Sequence, residues 1–184
     1  MGTPLIFLDI DGVICCNWQC ELEETKLAHL RRICKATGAK VVLSSDWRRQ
    51  APLKQRVRRA LQSKGVDYIG CTPQRSIIET VGRFLVEKPC RPLEISLWLA
   101  QYRPGHSPPP WVAIDDRDLL TEVGGSEMEG HFVQTAFSTG LTSKLAEQII
   151  SLLKGEDGEP LATGRAAAPS VATSASAVRQ VAVT

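Results

Sequence analysis

The chain has 184 residues, 43% of them hydrophobic, and a formal charge of +2. That length holds one good core and predicts a single domain. No apolar run reaches the ~20 residues of a membrane span, which excludes a transmembrane helix.

In chain order, the first element is the strand Leu5-Ile6-Phe7-Leu8, which runs into Asp9-Ile10-Asp11-Gly12-Val13. It starts so soon after Met1 that the sequence predicts no basic and apolar leader. A helix with Leu27, Leu30, Ile33 and Cys34 on its apolar face follows, closed by Gly38. Lys40 to Leu43 is a second buried strand, ending in Ser44-Ser45 and Asp46-Trp47-Arg48-Arg49. Leu53, Val57, Ala60 and Leu61 mark a second helix closed by Gly65, and a strand follows near Tyr68. Ile77, Ile78, Val81, Phe84 and Leu85 predict a third, amphipathic helix within Arg75 to Pro89. Leu93 to Tyr102 predicts a fourth. The stiff run Pro108-Pro109-Pro110 leads into a strand ending Ala113-Ile114-Asp115-Asp116, and another strand lies near Phe132. The last helix spans about Thr142 to Lys154, with Leu145, Ile149 and Leu152 inward. This alternation predicts an α/β domain over residues 1–155, a three-layer Rossmann-like parallel sheet with helices on both faces. From 156 to 184 the composition turns to Gly, Ala, Ser, Thr and Pro with no period, which predicts a disordered low-complexity tail.

Side chains alternate along a strand, so Asp9 and Asp11 point to one side, roughly 6–7 Å apart. Two carboxylates that close raise each other's pKa unless a cation sits between them, which calls for a metal or splits the pair into an anion and a proton carrier. A plain turn is a competing reading, because Asp and Gly both favour turns, but four apolar residues precede the motif. A calcium loop would need further oxygen ligands, and Cys15 and Cys16 stand there instead. A sugar-nucleotide transferase motif would follow a nucleotide-binding unit, and only eight residues precede Asp9. Ser44 and Ser45 also have a plain structural reading as helix caps, whereas Asp115 and Asp116, adjacent at a strand end, point to opposite faces.

The string at Asp9 resembles the first motif of the haloacid dehalogenase-like (HAD) phosphohydrolases. A narrower resemblance, to the HAD domain of Swiss Army Knife RNA repair proteins, is carried by Phe7 to Val13, Thr37-Gly38-Ala39-Lys40, Val42 to Arg48, Arg91 with Ile95 and Trp98-Leu99, Asp115-Asp116, and Thr139-Gly140-Leu141-Thr142. These strings cover about residues 3 to 153, and the predicted helix between Arg75 and Pro89 departs from the pattern.

The resemblance implies a Mg²⁺-dependent phosphomonoester hydrolase in which Asp9 attacks phosphorus to form an aspartyl-phosphate and Asp11 is the general acid/base. It further implies that Ser44, or alternatively Ser45, binds a phosphoryl oxygen. Asp115 would ligate the metal together with Asp9 and the backbone carbonyl of Asp11, with Asp116 bracing it as a neighbour. The family also needs a fixed cation. Arg91 fits, because Pro92 suits a first helical turn and places Arg91 at the open end of that helix, and Lys88 is the runner-up. The stretches from Gly12 to Lys40 and from Arg48 to Arg91 are too short for a large cap domain. An open site suits bulky substrates such as RNA or DNA ends or a phosphoprotein.

Residues 48 to 91 carry a local excess of eight positive charges over a chain otherwise in excess of acid. A basic sector of this kind attracts polyanions, although the cations on the polar side of a helix such as that of Leu53, Val57 and Leu61 are usually just solvated. Trp18 and Trp47 are the aromatics nearest the motifs and able to stack on a base, while Trp98, at helical spacing from Ile95, reads as core. The six cysteines show no zinc spacing and read as reduced thiols of a cytoplasmic or nuclear protein, and oxidation of Cys15 or Cys16 beside the carboxylates would inhibit the enzyme. No role falls to His29, His106 or His131. A monomer is expected, with no membrane association. Two other functions stay open: a phosphatase for a small metabolite or phosphoprotein, and a catalytically idle HAD-fold binding module.

Overall fold

A computed structural model describes residues 2–81, 83–102 and 107–155. The predicted tail over 156–184 and His106 lie outside the described residues.

Five strands, β1 (Leu5–Leu8), β2 (Lys40–Leu43), β3 (Tyr68–Cys71), β6 (Trp111–Asp115) and β7 (Phe132–Gln134), form one sheet in the order β3-β2-β1-β6-β7, every pair parallel. A parallel sheet needs cover on both faces, and the alternation of the strands divides the core accordingly. Ile6, Leu8, Val41, Leu43, Val112 and Ile114 face α1 (Glu24–Thr37), α2 (Ala51–Ser63) and α4 (Ser143–Lys154). Leu5, Phe7, Val42, Trp111 and Ala113 face α3 (Arg91–Tyr102) and the 3-10 turns near Leu119 and Met128. This is the three-layer architecture that the alternation predicts. Among the described residues there is no cap domain and no helix long and apolar enough to cross a membrane.

Helix ends follow local chemistry. Gly38 takes the left-handed conformation and donates its N–H to Cys34 O to close α1, and Thr142 caps α4 by accepting from Leu145 N. In α4 the fully buried positions are Ala146, Ile149 and Leu153, while Leu145 and Leu152 are only half-buried against the same core. Trp98 packs edge-on against Phe7, as a core residue should, and stacks on Tyr102.

One element differs in kind. The segment expected as an amphipathic helix is an antiparallel hairpin, β4 (Ser76–Val81) and β5 (Phe84–Pro89). Its apolar spacing satisfies a helix, but Ile77, Ile78, Thr80, Val81 and Val86 are β-branched and lose side-chain freedom in one. The hairpin stands off the core, with Ile78, Phe84, Leu85 and Val86 exposed.

Candidate active site

Strand register assembles the site. Leu8 pairs with both Leu43 and Ile114, so Asp9, Ser44 and Asp115 stand one residue further on, at the same level beyond or at the carboxyl ends of three adjacent strands. The ladder continues through this level, with Asp9 N–H donating to Ile114 O (3.0 Å) and Ser44 N–H to Leu8 O (2.9 Å). Ligands of open parallel sheets bind at this edge.

Asp9 and Asp115 share the parity of Phe7 and Ala113 and therefore lean toward the α3 layer. Arg91, the first residue of α3 with Pro92 behind it, meets them there. Its Nη1 donates to Asp9 Oδ1 (2.5 Å) and Asp115 Oδ2 (2.8 Å), and Nη2 lies 3.8 Å from Asp46 Oδ2. Burial alone would weaken the proton on Arg91, but Asp9 and Asp115 outweigh it and hold the guanidinium firmly charged. Its Nε is buried and has no hydrogen-bond partner. Of the two cations considered, Arg91 is the one on the carboxylates; Lys88 is exposed on β5.

Carboxylate oxygens of Asp9, Asp115 and Asp116 lie within 4.8 Å of one another. The expected opposition of Asp115 and Asp116 does not hold, because β6 ends at Asp115 and strand alternation no longer governs the next residue. Burial first, and then the charge of Asp9, push Asp115 up to about 7, and the same two causes raise Asp116. Arg91 and Arg117 both act on this group, and its three carboxylates still outnumber them. Hard oxygen donors so placed fit a divalent cation of the magnesium type.

Asp11 is half-buried, and its carboxylate lies outside that cluster, so a side-chain metal role for it is not supported by the geometry. Asp11 Oδ2 instead accepts from the indole Nε1 of Trp47 (2.9 Å). Burial raises its pKa against that hydrogen bond, and Asp9 and Asp116 add to the rise. Trp47 is thus a buried brace and not a surface for stacking. Between the two serines, Ser45 is a cap, its Oγ accepting from Trp47 N (3.3 Å), which leaves Ser44 as the hydroxyl at the end of β2.

Gly12 is required by space as well as by its φ of +67°: a Cβ there would lie 2.5 Å from Asp116 Oδ2. Thr135 Oγ1 donates to Gly12 O (2.7 Å), tying the loop after β7 to the loop after β1. Cys15 is buried and Cys16 half-buried. Burial pushes the Cys15 thiol up to about 11 and also raises Cys16, which works against the thiolate form that oxidation requires.

The sequence reading assigned no role to Arg48 or Glu94. Arg48 is buried, donates from Nη1 to the carbonyls of Ser44 and Ser45 (both 2.7 Å) and from Nε to Thr72 O (3.2 Å), and pairs through Nη2 with buried Glu94 (2.6 Å). Glu94 also accepts from Arg75 N (2.9 Å). This pair ties the Ser44 turn to the first turn of α3, and so to Arg91. Arg48 follows directly on the Ser44-Ser45-Asp46-Trp47 string, but nothing in the sequence links it to Glu94.

No curated protein and no solved structure matches the chain. The model of the family described as the HAD domain in Swiss Army Knife RNA repair proteins matches residues 5–146. With the motifs in that order around one rim of a parallel sheet, the chain belongs to this family of phosphohydrolase-type domains.

Proposed function

We propose that the protein is a Mg²⁺-dependent phosphomonoester hydrolase that works through an aspartyl-phosphate on Asp9 and acts on nucleic-acid ends or nucleotides. The observation that carries this reading is the convergence of Asp9, Asp115 and Asp116 with the buried Arg91 at one point of the sheet rim. Asp9, Asp115 and Asp116, with the carbonyl of Asp11, would hold the metal, which supplies positive charge at the phosphoryl oxygens.

The remaining work belongs to the chain. Asp9 attacks phosphorus in line while the bond to the leaving alcohol breaks. Asp11, whose raised pKa favours a carried proton at the start, gives that proton to the departing oxygen and then takes one from the water that cleaves the acyl phosphate. Arg91 and Ser44 hold equatorial oxygens, where transition-state charge is spread. The partnerless Nε of Arg91 is a donor in want of an acceptor, and a phosphoryl oxygen would satisfy it. An edge without a cap domain leaves room for a polynucleotide end, in keeping with the RNA repair proteins in which the family occurs.

Hydrolysis of an aryl phosphate tests the chemistry. Wild-type protein should turn it over with Mg²⁺ and not with chelator, and Asp9→Asn should lose at least about a thousandfold in kcat. Equal activity of the two proteins would remove Asp9 as nucleophile. Oligonucleotides phosphorylated at the 3′ or 5′ end then read out the substrate class.

A further inference from the structure

Trp18 is 89% exposed, on a chain whose Trp47 and Trp111 are buried, and its ring lies 5.8 Å from that of Phe137 at an angle of 46°. Leaving an indole in water forgoes the burial that normally stabilises it. The loop that holds it out is well braced. Asn17 exchanges hydrogen bonds with the backbone of Glu21 (2.8 Å each way), and Glu23 accepts from Cys16 N (2.8 Å) and Asn17 Nδ2 (3.2 Å).

The loops that carry the pair are tied to the loop that follows Asp11. Phe137 is two residues from Thr135, so its Cα is at most ~7 Å from that of the residue bonded to Gly12 O. Gly140 packs so closely on Cys16 and the Val13 carbonyl that a Cβ would lie 2.5 Å from Cys16 Sγ, and Leu141 N–H donates to Val13 O (2.9 Å). The two aromatic loops are thereby strapped together next to Gly12, which touches Asp116.

We propose that Trp18 and Phe137 form an aromatic platform on which a nucleobase of the substrate stacks while its phosphate lies at Asp9, Ser44 and Arg91. The phosphate half of this statement rests on the hydrolase reading above, and the base half on the ring pair. A nucleic acid is favoured over an aromatic phosphopeptide by charge. Helix α2 starts directly after the turn that holds Trp47 on Asp11 and carries Lys54 and Arg56 in its first two turns with no acidic residue, whereas Arg58 lies beside Lys40 and Asp67 at the other end of the sheet. A strand stacking one base at the rim brings further phosphates for Lys54 and Arg56.

The test compares kcat/KM for adenosine 3′- and 5′-monophosphate with kcat/KM for glycerol 2-phosphate, which has no ring. Trp18→Ala should lower the nucleotide-to-glycerol ratio about tenfold, chiefly through KM, Phe137→Ala should lower it less, and Trp18→Phe should keep most of it. An unchanged ratio in Trp18→Ala overturns the platform, as does a larger loss on a phosphotyrosine peptide than on the nucleotides. If no substrate is hydrolysed, the hydrolase reading fails alone. The platform is then judged by adenosine monophosphate quenching tryptophan fluorescence in wild type and not in Trp18→Ala, and absence of quenching in wild type refutes it.

Discussion

Trp47 joins packing to chemistry within one side chain: its ring belongs to the core beside α1 and α2, and its Nε1 reaches Asp11. Trp47→Phe keeps the ring and removes the donor. It should cost about 1 kcal/mol in urea unfolding and lower kcat about tenfold with KM little changed, because Asp11 loses its orientation while Asp9, Ser44 and Arg91 keep theirs. Unaltered kcat would detach Trp47 from the reaction. The carboxylates and Ser44 could be read in the sequence because each ends a strand, where a polar residue after an apolar run has few structural reasons to be there. Arg91 was legible through Pro92. Trp47 was not, since an indole next to a motif looks the same whether it turns toward the core or toward the substrate. Its hydrogen bond spans 36 residues that no local pattern connects.

Between elements, the Arg48–Glu94 pair joins the turn after β2 to α3, and both side chains are almost wholly buried. Glu94→Met or Arg48→Met strands the partner's charge in the interior and should cost about 3–5 kcal/mol, with the double change costing clearly less than the two single changes together. Urea midpoints of the four proteins measure this, and strict additivity would mean that the two side chains do not act as a pair. The same comparison of elements explains why the hairpin escaped the sequence. In α1 and α2 the apolar period is backed by good helix formers such as Leu27, Leu30 and Leu61. Between Ser76 and Pro89 the period is carried by β-branched residues that prefer strands, and the hairpin's pairing across β4 and β5 leaves no repeat that differs from a helical one over so few residues.

Over the whole molecule, the parallel order β3-β2-β1-β6-β7 brings Asp9, Asp115 and Asp116 to one rim, where Arg91 is buried against Asp9 and Asp115. The architecture was legible from the alternation of strands and helices, whereas the electrostatic load of the rim follows from register and depth, which the sequence does not display. Asp115, an ordinary aspartate when unfolded, is pushed up to about 7 in the fold by burial and by Asp9, while Asp11 and Asp116 shift in the same direction. A group whose folded pKa is the higher one binds more protons when folded, so its contribution to stability is complete below pH ~4 and is lost as pH rises toward 7. Without metal, the melting temperature of wild-type protein should therefore decline more steeply from pH 4 to pH 7 than that of Asp115→Asn. Mg²⁺ binds the ionised carboxylates of the folded state, so millimolar Mg²⁺ should raise the wild-type melting temperature at pH 7 and have little effect at pH 4. Calorimetry at the two pH values, with Mg²⁺ and with chelator, measures both slopes. A Mg²⁺ effect equal at pH 4 and pH 7, or equal in wild type and Asp115→Asn, would place the ion elsewhere than on this rim.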